Sequence, residues 1–522
     1  MSIVRCPTEV LHHIFCLFCL HCHNTKCIPE DVDQNADYKA LLALTQTNKR
    51  WRTIAMPILF HYPNKHLSST YLFNVLNCQP NLARCALSLD LSISDNRAGR
   101  KHCSNDLITQ MVAERVTKRS FPEPLVNKGQ TSWESSLLLN LCSNITRLAI
   151  GEEGALDLRR HNLSQWEGSK LPTHLKYLEI NMFIVSSWLC PILSSLLLAS
   201  PELDTLVFRG YGTSLWRHDC ELDVDTLRPV MERLTNIQLL GHTLGPEHQS
   251  APILYPLIAA ACNLRTFKYV LDALTCCNWG FYSPNLAGPH YYLHQSPSYI
   301  VGMLKAARNS LQHLTLDFNR MRLRSESMFI SPREIHQFVR LHTLEIDQNC
   351  YCRHQLGRER LGEGWDKATY LADFLPTTVR RLTIFWTPGA ARCRCSGCIL
   401  YLGKRAVAGH FPNLEIVQVD IPFISDKYVT HGFVPERTWK KLKKAHVKEE
   451  EINGLRIKEA FEGSGVETRI RIWYATDGVS AYVDGPSHCN ISRAFPSPYV
   501  SFAREPVPVS EMDWYITEQY NG

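Results

Sequence analysis

The sequence of 522 residues lacks the short motifs that mark common active sites. It contains no Gly-x-Ser-x-Gly nucleophile elbow, no Gly-x-x-x-x-Gly-Lys-Ser/Thr phosphate loop and no His-Glu-x-x-His zinc motif. Its 22 histidines lie among ordinary acids, and no spacing singles out a catalytic set. We therefore predict that the chain performs no catalysis by itself and needs no cofactor.

An excess of one charge and long apolar runs are also missing. The 56 Lys and Arg against 50 Asp and Glu leave a net charge of +6, with no arginine-rich cluster between aromatic residues, so we expect neither a nucleic-acid nor a membrane partner. No run approaches the ~20 apolar residues of a membrane helix. The stretch from Val10 to Leu20 is short, contains two histidines and precedes no small-residue cleavage site. We expect an intracellular protein, cytoplasmic, nuclear or both, whose 20 cysteines are mostly reduced.

The first sixty residues contain two amphipathic patterns. Pro7 suits a first helical position, and Glu9 in the first turn complements the helix dipole. Apolar residues then recur at spacings of three and four, which predicts one stripe: Val10, Leu11, Ile14, Phe15 and Phe18. Residues Leu41 to Phe60 repeat the pattern, and Pro57 predicts a break or a kink near Ala55. This spacing alone is also compatible with an ordinary helical hairpin.

The order of residue types in these helices resembles the F-box, a module that docks proteins onto a ubiquitin ligase. The family pattern Leu-Pro-x-Glu-Ile/Val-Leu-x-x-Ile-Phe matches from Pro7 to Phe15. Its second half, a leucine-rich helix that ends in Lys/Arg-Arg-Trp-Arg, an apolar pair and a proline, matches at Leu41, Leu42, Leu44, Lys49, Arg50, Trp51, Arg52, Ile54, Ala55, Pro57 and Leu59. The chain departs from the pattern at Cys6, at Thr47 and Asn48, and in a longer insertion from His21 to Asp37. The resemblance implies that a Skp-family adaptor contacts Pro7, Glu9, Val10, Leu11, Ile14, Phe15, Leu41, Leu44, Trp51 and Pro57.

A six-residue pattern, Leu-x-x-Leu-x-Leu or a near variant, recurs after this module. Its copies begin at Ile145, Leu175, Leu203, Leu234, Leu264, Leu311, Leu341, Val379 and Leu414, with a weaker first copy at Leu82, Cys85 and Leu87. Most copies lie roughly 30 residues apart, as in a leucine-rich repeat slightly longer than usual. The longer gaps, at 264–311 and 346–379, predict surface loops. A single such pattern is common in any leucine-rich protein, so the interpretation depends on its recurrence.

Apolar helical patterns follow several copies, at Ser187–Ala199, Asp225–Leu234, Pro252–Ala261, Tyr299–Ala307 and Lys367–Leu375. One strand and one helix cannot bury their apolar faces alone, so the units must stack, and their strands must pair in parallel. Two copies keep the asparagines, Asn319 and Asn349, that typically bond free backbone groups at the turn of a leucine-rich repeat.

These patterns predict an α/β protein with four parts. An N-terminal helical F-box (residues 1–62) is followed by connecting helices and a first, atypical repeat (63–143). An irregular leucine-rich-repeat α/β solenoid (144–475) and a C-terminal tail (476–522) complete the chain. The whole arrangement resembles fungal-type F-box proteins with C-terminal leucine-rich repeats.

Two groups of residues are candidates for binding. The exposed strand positions mix charges, amides and aromatics, which suits recognition of a protein, and the expected anchors are Tyr177, Arg209, Arg381 and Phe385. Five cysteines are a candidate zinc set: Cys350, Cys352, Cys393, Cys395 and Cys398. The same cysteines are equally compatible with a loop that binds no metal and stays reduced inside the cell. Cys16, Cys19, Cys22 and Cys27 imitate iron–sulfur spacing, but the first three rotate apart on an α-helix. We therefore assign no metal.

The resemblance implies a substrate-recognition subunit of an SCF-type cullin–RING ubiquitin ligase. The F-box would bind the Skp-family adaptor, and through it the ligase, while the repeats would bind an unknown protein target. The alternatives are a non-catalytic scaffold that binds the adaptor outside a ligase and a metal-dependent enzyme built on the cysteines.

Overall fold

The computed structural model describes the helices and strands of the chain and the turns next to them. The described residues are 6–19, 22, 34–62, 72, 75–76, 79–91, 138–139, 141–151, 173–182, 189–210, 223–241, 251–270, 296–318, 329–352, 369–385, 395–423 and 455–474. The chain forms two compact units. The first comprises residues 1–182 and 186–205, and the second comprises residues 183–185 and 206–522.

Three helices begin the first unit: α1 (Thr8–Cys16), α2 (Gln34–Thr47) and α3 (Lys49–Leu59). The helix does not break near Ala55, because α3 runs through Pro57 to Leu59. Burial of Ile54, Ala55, Ile58 and Leu59 on both sides of the proline holds this last turn. The chain breaks instead at Asn48, whose extended backbone separates α2 from α3 and whose side chain accepts a hydrogen bond from the Trp51 amide at 2.9 Å.

The rest of the described chain is mixed α/β, with eleven strands in a solenoid-like sheet whose order follows the sequence. The strands are β1 (Ser88–Leu91), β2 (Arg147–Gly151), β3 (Tyr177–Met182), β4 (Thr205–Gly210), β5 (Asn236–Leu240), β6 (Thr266–Val270), β7 (His313–Asp317), β8 (Thr343–Asp347), β9 (Arg381–Phe385), β10 (Ile416–Phe423) and β11 (Glu467–Tyr474). The predicted parallel α/β arrangement is confirmed at this level. In β7, for example, the pattern residues Leu314 and Leu316 are fully buried.

Helices connect many of these strands: α4 (Pro80–Cys85), α5 (Leu189–Ala199), α6 (Val224–Met231), α7 (Ala251–Ala260), α8 (Pro297–Met303), α9 (Pro332–His336), α10 (Tyr370–Phe374) and α11 (Cys395–Val407). Residues 455–461 are also helical. The five predicted helices correspond to α5, α6, α7, α8 and α10. Within the described ranges, no helix combines the length and the apolar character that crossing a bilayer requires.

Two strands differ from the prediction. The sequence predicts that the first copy begins at Leu82, but Leu82 lies in α4. The strand follows this helix, and its Leu89 pairs in register with Leu148 of β2. The buried pattern of this repeat is therefore Ala86, Leu89 and Leu91. The repeat pattern does not predict strand β11, since Gly465 and Thr468 occupy two of its three leucine positions. The predicted loops within 271–295 and 353–368, the tail beyond 475 and Asn319 lie outside the described residues.

Within each unit, most described repeats are joined to the preceding one by a backbone carbonyl just before the strand. In the first unit the carbonyl of Leu87 accepts hydrogen bonds from Thr146 and Arg147, at 2.8 and 3.0 Å. In the second unit the carbonyls of Thr235, Arg265, Gln312, His342 and Arg380 each accept two N–H groups of the next repeat in the same way. Each of these carbonyls accepts from two consecutive N–H groups, so it determines which residues of the next repeat begin the strand.

A polar side chain three residues before a strand makes a further hydrogen bond at several of these turns. The amides of Asn144, Asn263 and Asn413 each donate to a backbone carbonyl of the preceding repeat, at 2.9, 2.8 and 3.0 Å. The hydroxyls of Ser310 and Thr378 do the same at 2.7 and 2.9 Å. These contacts satisfy carbonyls that would otherwise lack partners at the turns.

The last repeat generates a paired test of close packing. A Cβ atom at Gly403 in α11 would lie 2.7 Å from the Ala460 carbonyl oxygen and 2.9 Å from the Ala460 Cβ, whereas one at Gly397 in the same helix would meet nothing within 4 Å. Gly403→Ala should therefore lower the free energy of unfolding by about 1–3 kcal/mol through overpacking. Gly397→Ala should raise it by up to about 1 kcal/mol through helix propensity. Chemical denaturation of both variants measures the difference, and equal effects would contradict this packing.

Candidate functional site

The N-terminal helices form a small module around α3. Ring centroids of Phe15 in α1 and Trp51 in α3 lie 5.6 Å apart in an edge-to-face arrangement. The Arg50 guanidinium donates to the Cys6 carbonyl at 2.5 Å, and the Arg52 Nε donates to the Thr45 carbonyl at 2.9 Å. These contacts fix the start of α1 and the end of α2 onto α3.

The ten residues expected to contact an adaptor separate into two groups. Leu11, Phe15 and Leu41 are buried within the module, so their side chains are not available to a partner. The others reach the surface: Pro7, Glu9 and Val10 are exposed, and Ile14, Leu44, Trp51 and Pro57 are partly exposed.

One face of α1 carries an unburied apolar stripe, which we call the outer stripe: Val10, Ile14 and Leu17. Val10 is 44 % exposed and Leu17, just past the helix end, is 59 % exposed. The stripe lies roughly 110° around the helix from the buried pair Leu11 and Phe15, at 100° per residue. Leu17 was missed from the sequence, although it lies seven residues after Val10 and therefore on the same face. Leu42 in α2 adds a further exposed leucine.

Polar side chains cover the accessible face of the strands in the second unit. The register aligns Lys268, Thr315, Glu345, Thr383 and Gln418 as neighbours across β6 to β10. The Thr315 hydroxyl donates to the Glu345 carboxylate at 3.0 Å, and the Gln418 amide donates to the Asp420 carboxylate at 2.7 Å. This row therefore forms an ordered polar surface rather than an apolar groove.

Two of the expected anchors lie on this face at β9. Arg381 is exposed at the start of the strand, and Phe385 is partly exposed at its end. Arg381 pairs in register with Thr343 on β8, and Thr343 pairs with His313 on β7. Burial, together with the nearby His342 and Arg381, lowers the pKa of His313, so this imidazole is neutral at physiological pH. Asp347 and Asp420 flank Phe385 in register and are buried.

The other two anchors are less accessible than expected. Tyr177 in the first unit is only 8 % exposed, because the Arg147 guanidinium lies 3.9 Å above its ring. The Tyr177 hydroxyl donates to the Glu179 carboxylate at 2.7 Å, and Arg147 Nη2 lies 3.6 Å from the same oxygen. Arg209 in β4 is partly exposed. Tyr177 therefore belongs to a closed cation–aromatic–carboxylate cluster.

The candidate zinc cysteines are not brought together among the described residues. Cys395 and Cys398 lie on α11 rather than in the expected loop, and Cys352 is disulfide-bonded, as is Cys190. Nine other cysteines of the described ranges are free, so most described cysteines are reduced, as expected. Burial first, and then the nearby Asp347 and Asp317, raise the pKa of the Cys350 thiol. Cys393 lies outside the described residues.

A different cysteine group does converge. Cys19, Cys22 and His61 place their ligand atoms within 4.8 Å of one another. The expectation that these cysteines rotate apart is wrong for Cys19 and Cys22, because α1 ends at Cys16 and the chain continues in tighter turns. Cys27 lies outside the described residues.

The two faces of α1 generate a prediction about folding. Leu11→Ala should destabilise the helical module by about 2–5 kcal/mol, because a fully buried side chain is lost. Val10→Ala should change stability by less than about 0.5 kcal/mol, since this side chain already lies in water. Hydrogen–deuterium exchange of residues 8–59 in the full chain measures both effects. Equal exchange in the two variants would contradict the assignment of the faces.

Comparison of the chain with protein-family models found no family that matches it, and a search of curated proteins found no match either.

Proposed function

We propose that this protein is a non-catalytic substrate-recognition subunit of an SCF-type cullin–RING ubiquitin ligase. The N-terminal helical module would bind a Skp-family adaptor, and the strand face would bind the protein to be ubiquitinated. The observation that carries the proposal is the outer stripe of α1, in a segment whose residue order resembles an F-box.

The outer stripe supports binding because it remains apolar at the surface after the module has filled its own interior with Leu11, Phe15 and Leu41. Single exposed apolar residues are common on proteins, but neighbouring ones that share a helix face indicate an interaction site. Covering Val10, Ile14 and Leu17 with a partner helix would contribute up to about 1.5–3 kcal/mol for each fully buried side chain. The helix-in-groove mode of recognition uses this spacing.

The strand face supports binding of a protein target. The exposed Arg381 and the partly exposed Phe385 lie at opposite ends of β9 on one accessible face. Arginine and aromatic residues carry a large share of the energy in protein interfaces. The intervening Thr383 and the adjacent Glu345 are partly exposed and offer a hydrogen-bond donor and a carboxylate acceptor. Such a mixture suits a folded or extended protein better than a polyanion.

Adaptor binding should be lost on Val10→Glu combined with Leu17→Lys. An acid in the first turn and a base at the end suit the helix dipole, so α1 should stay folded while its apolar surface is removed. Binding of the full chain to a purified Skp-family adaptor, measured by titration calorimetry, should weaken by 100-fold or more, about 2.7 kcal/mol. Val407→Lys, at the exposed end of α11, is the matched control and should bind like the unaltered chain.

Undiminished binding by the Val10→Glu/Leu17→Lys variant, with unchanged hydrogen exchange in α1, would overturn the docking surface. Leu11→Asp is unsuitable for this test, because it would unfold the module instead of removing a contact. Recovery of the adaptor with a cullin from cells supports the ligase, whereas recovery of the adaptor alone would support the scaffold alternative.

Target capture should depend on the strand face. Arg381→Ala combined with Phe385→Ala removes two side chains without disturbing Leu382 and Ile384, which fill the core. Proximity labelling in cells should lose a specific set of proteins with this variant, while labelling of the adaptor persists. An unchanged set of labelled proteins would contradict the assignment of this face.

A further inference from the structure

The turns after α1 bring three cysteines to the same side of the chain. The Cys19 amide donates to the Cys16 carbonyl at 3.1 Å, and the Cys22 amide donates to the Cys19 carbonyl at 3.0 Å. Two successive three-residue turns of this kind superimpose every third side chain, whereas an α-helix would rotate them by 100° per residue. These turns bring the sulfurs of Cys19 and Cys22 together, and Cys16 lies one turn before them.

His61, just past the end of α3, faces this cluster. Its Nδ1 lies 3.4 Å from the Cys22 Sγ and 3.9 Å from the Cys19 Sγ. Tetrahedral zinc with bonds of about 2.3 Å to sulfur and 2.0–2.1 Å to nitrogen separates its ligand atoms by about 3.5–3.8 Å. The sulfur–nitrogen distances therefore match an ion at the centre, without movement of the backbone.

The ligand atoms lie inside the module. Cys19 is only 3 % exposed, and Cys22 and His61 are partly buried. Thiolates are the form of cysteine that binds metals, so binding of a cation here would release the thiol protons.

Cys16 is the remaining candidate ligand. Its sulfur lies 3.7 Å from the His12 Nδ1, outside the group of three, and its side chain is partly buried. We propose that Cys19, Cys22 and His61 bind one Zn²⁺ ion in a structural site, and that the Cys16 side chain turns inward to complete four ligands. Four protein ligands leave no open position for substrate, so the ion would stabilise the fold and not catalyse a reaction.

The location gives the site a structural role. The His61 carbonyl accepts hydrogen bonds from Leu87 and Ser88, at 3.0 and 2.9 Å, and so holds the first strand. Zinc would therefore join the end of α1 to the residue on which the first repeat is built. This inference does not depend on the proposed function, since a zinc-clamped module could serve any partner.

Metal analysis tests the proposal. The full chain is purified under reducing conditions without chelators. Inductively coupled plasma mass spectrometry should then find one zinc ion per chain. Cys19→Ser combined with Cys22→Ser should reduce zinc to the background level, and so should His61→Asn alone. Cys262→Ser, at an exposed free cysteine in the second unit, is the matched control and should retain the metal.

A second measurement covers the case in which the double variant fails to fold. Cobalt added to the metal-stripped, unaltered chain should give the visible d–d bands and thiolate charge-transfer absorption of a tetrahedral sulfur-rich site, and His61→Asn should lose or shift them. Absence of zinc and of these bands in the unaltered chain would overturn the proposal. Equal zinc in the His61→Asn variant, or a Cys19–Cys22 disulfide in the reduced preparation, would also overturn it.

Discussion

The carbonyl that precedes each strand is the constraint on which the rest of this structure depends. It accepts two amide hydrogens from the next repeat and so sets where that repeat begins, as with Leu87 in the first unit and Gln312 in the second. Once the register is fixed, the leucines of each strand fall into one buried layer, and the polar residues between them lie on the accessible face. The series starts at His61, the residue that also faces Cys19 and Cys22. The N-terminal helices are therefore connected to the repeats through a backbone contact.

Sequence patterns predicted nine strands because their buried leucines follow a simple period and their turns have a regular length. They failed where another constraint decided the local structure. Pro57 does not end α3, since burial on both sides of it outweighs the lost hydrogen bond. Strand β11 lacks the leucines, yet its period-two alternation at Ile470 and Ile472 could have revealed it. The asparagine three residues before a strand, as at Asn263, is a second signal that the sequence contains.

The candidate sites were predictable only in part. Periodicity placed Val10 and Leu11 in one stripe, but neighbouring residues on a helix differ by 100°, and only the packing of α1 on α3 decides which one faces outward. Strand alternation predicted an accessible Tyr177, but the side chain is buried because the Arg147 guanidinium covers its ring. The sequence predicts separated cysteines only if the α-helix continues beyond Cys16. Tight turns reverse that conclusion, since their period of three matches the spacing of the cysteines.

The proposed function divides the chain between docking and recognition, and docking through α1 is its central claim. Hydrogen–deuterium exchange of the full chain, with and without a purified Skp-family adaptor, tests it most directly. We predict that the adaptor slows exchange in the segments that contain the outer stripe and the start of α3, while exchange in β5 to β11 stays unchanged. Absence of protection in α1 at saturating adaptor, or protection confined to the strands, would contradict the account.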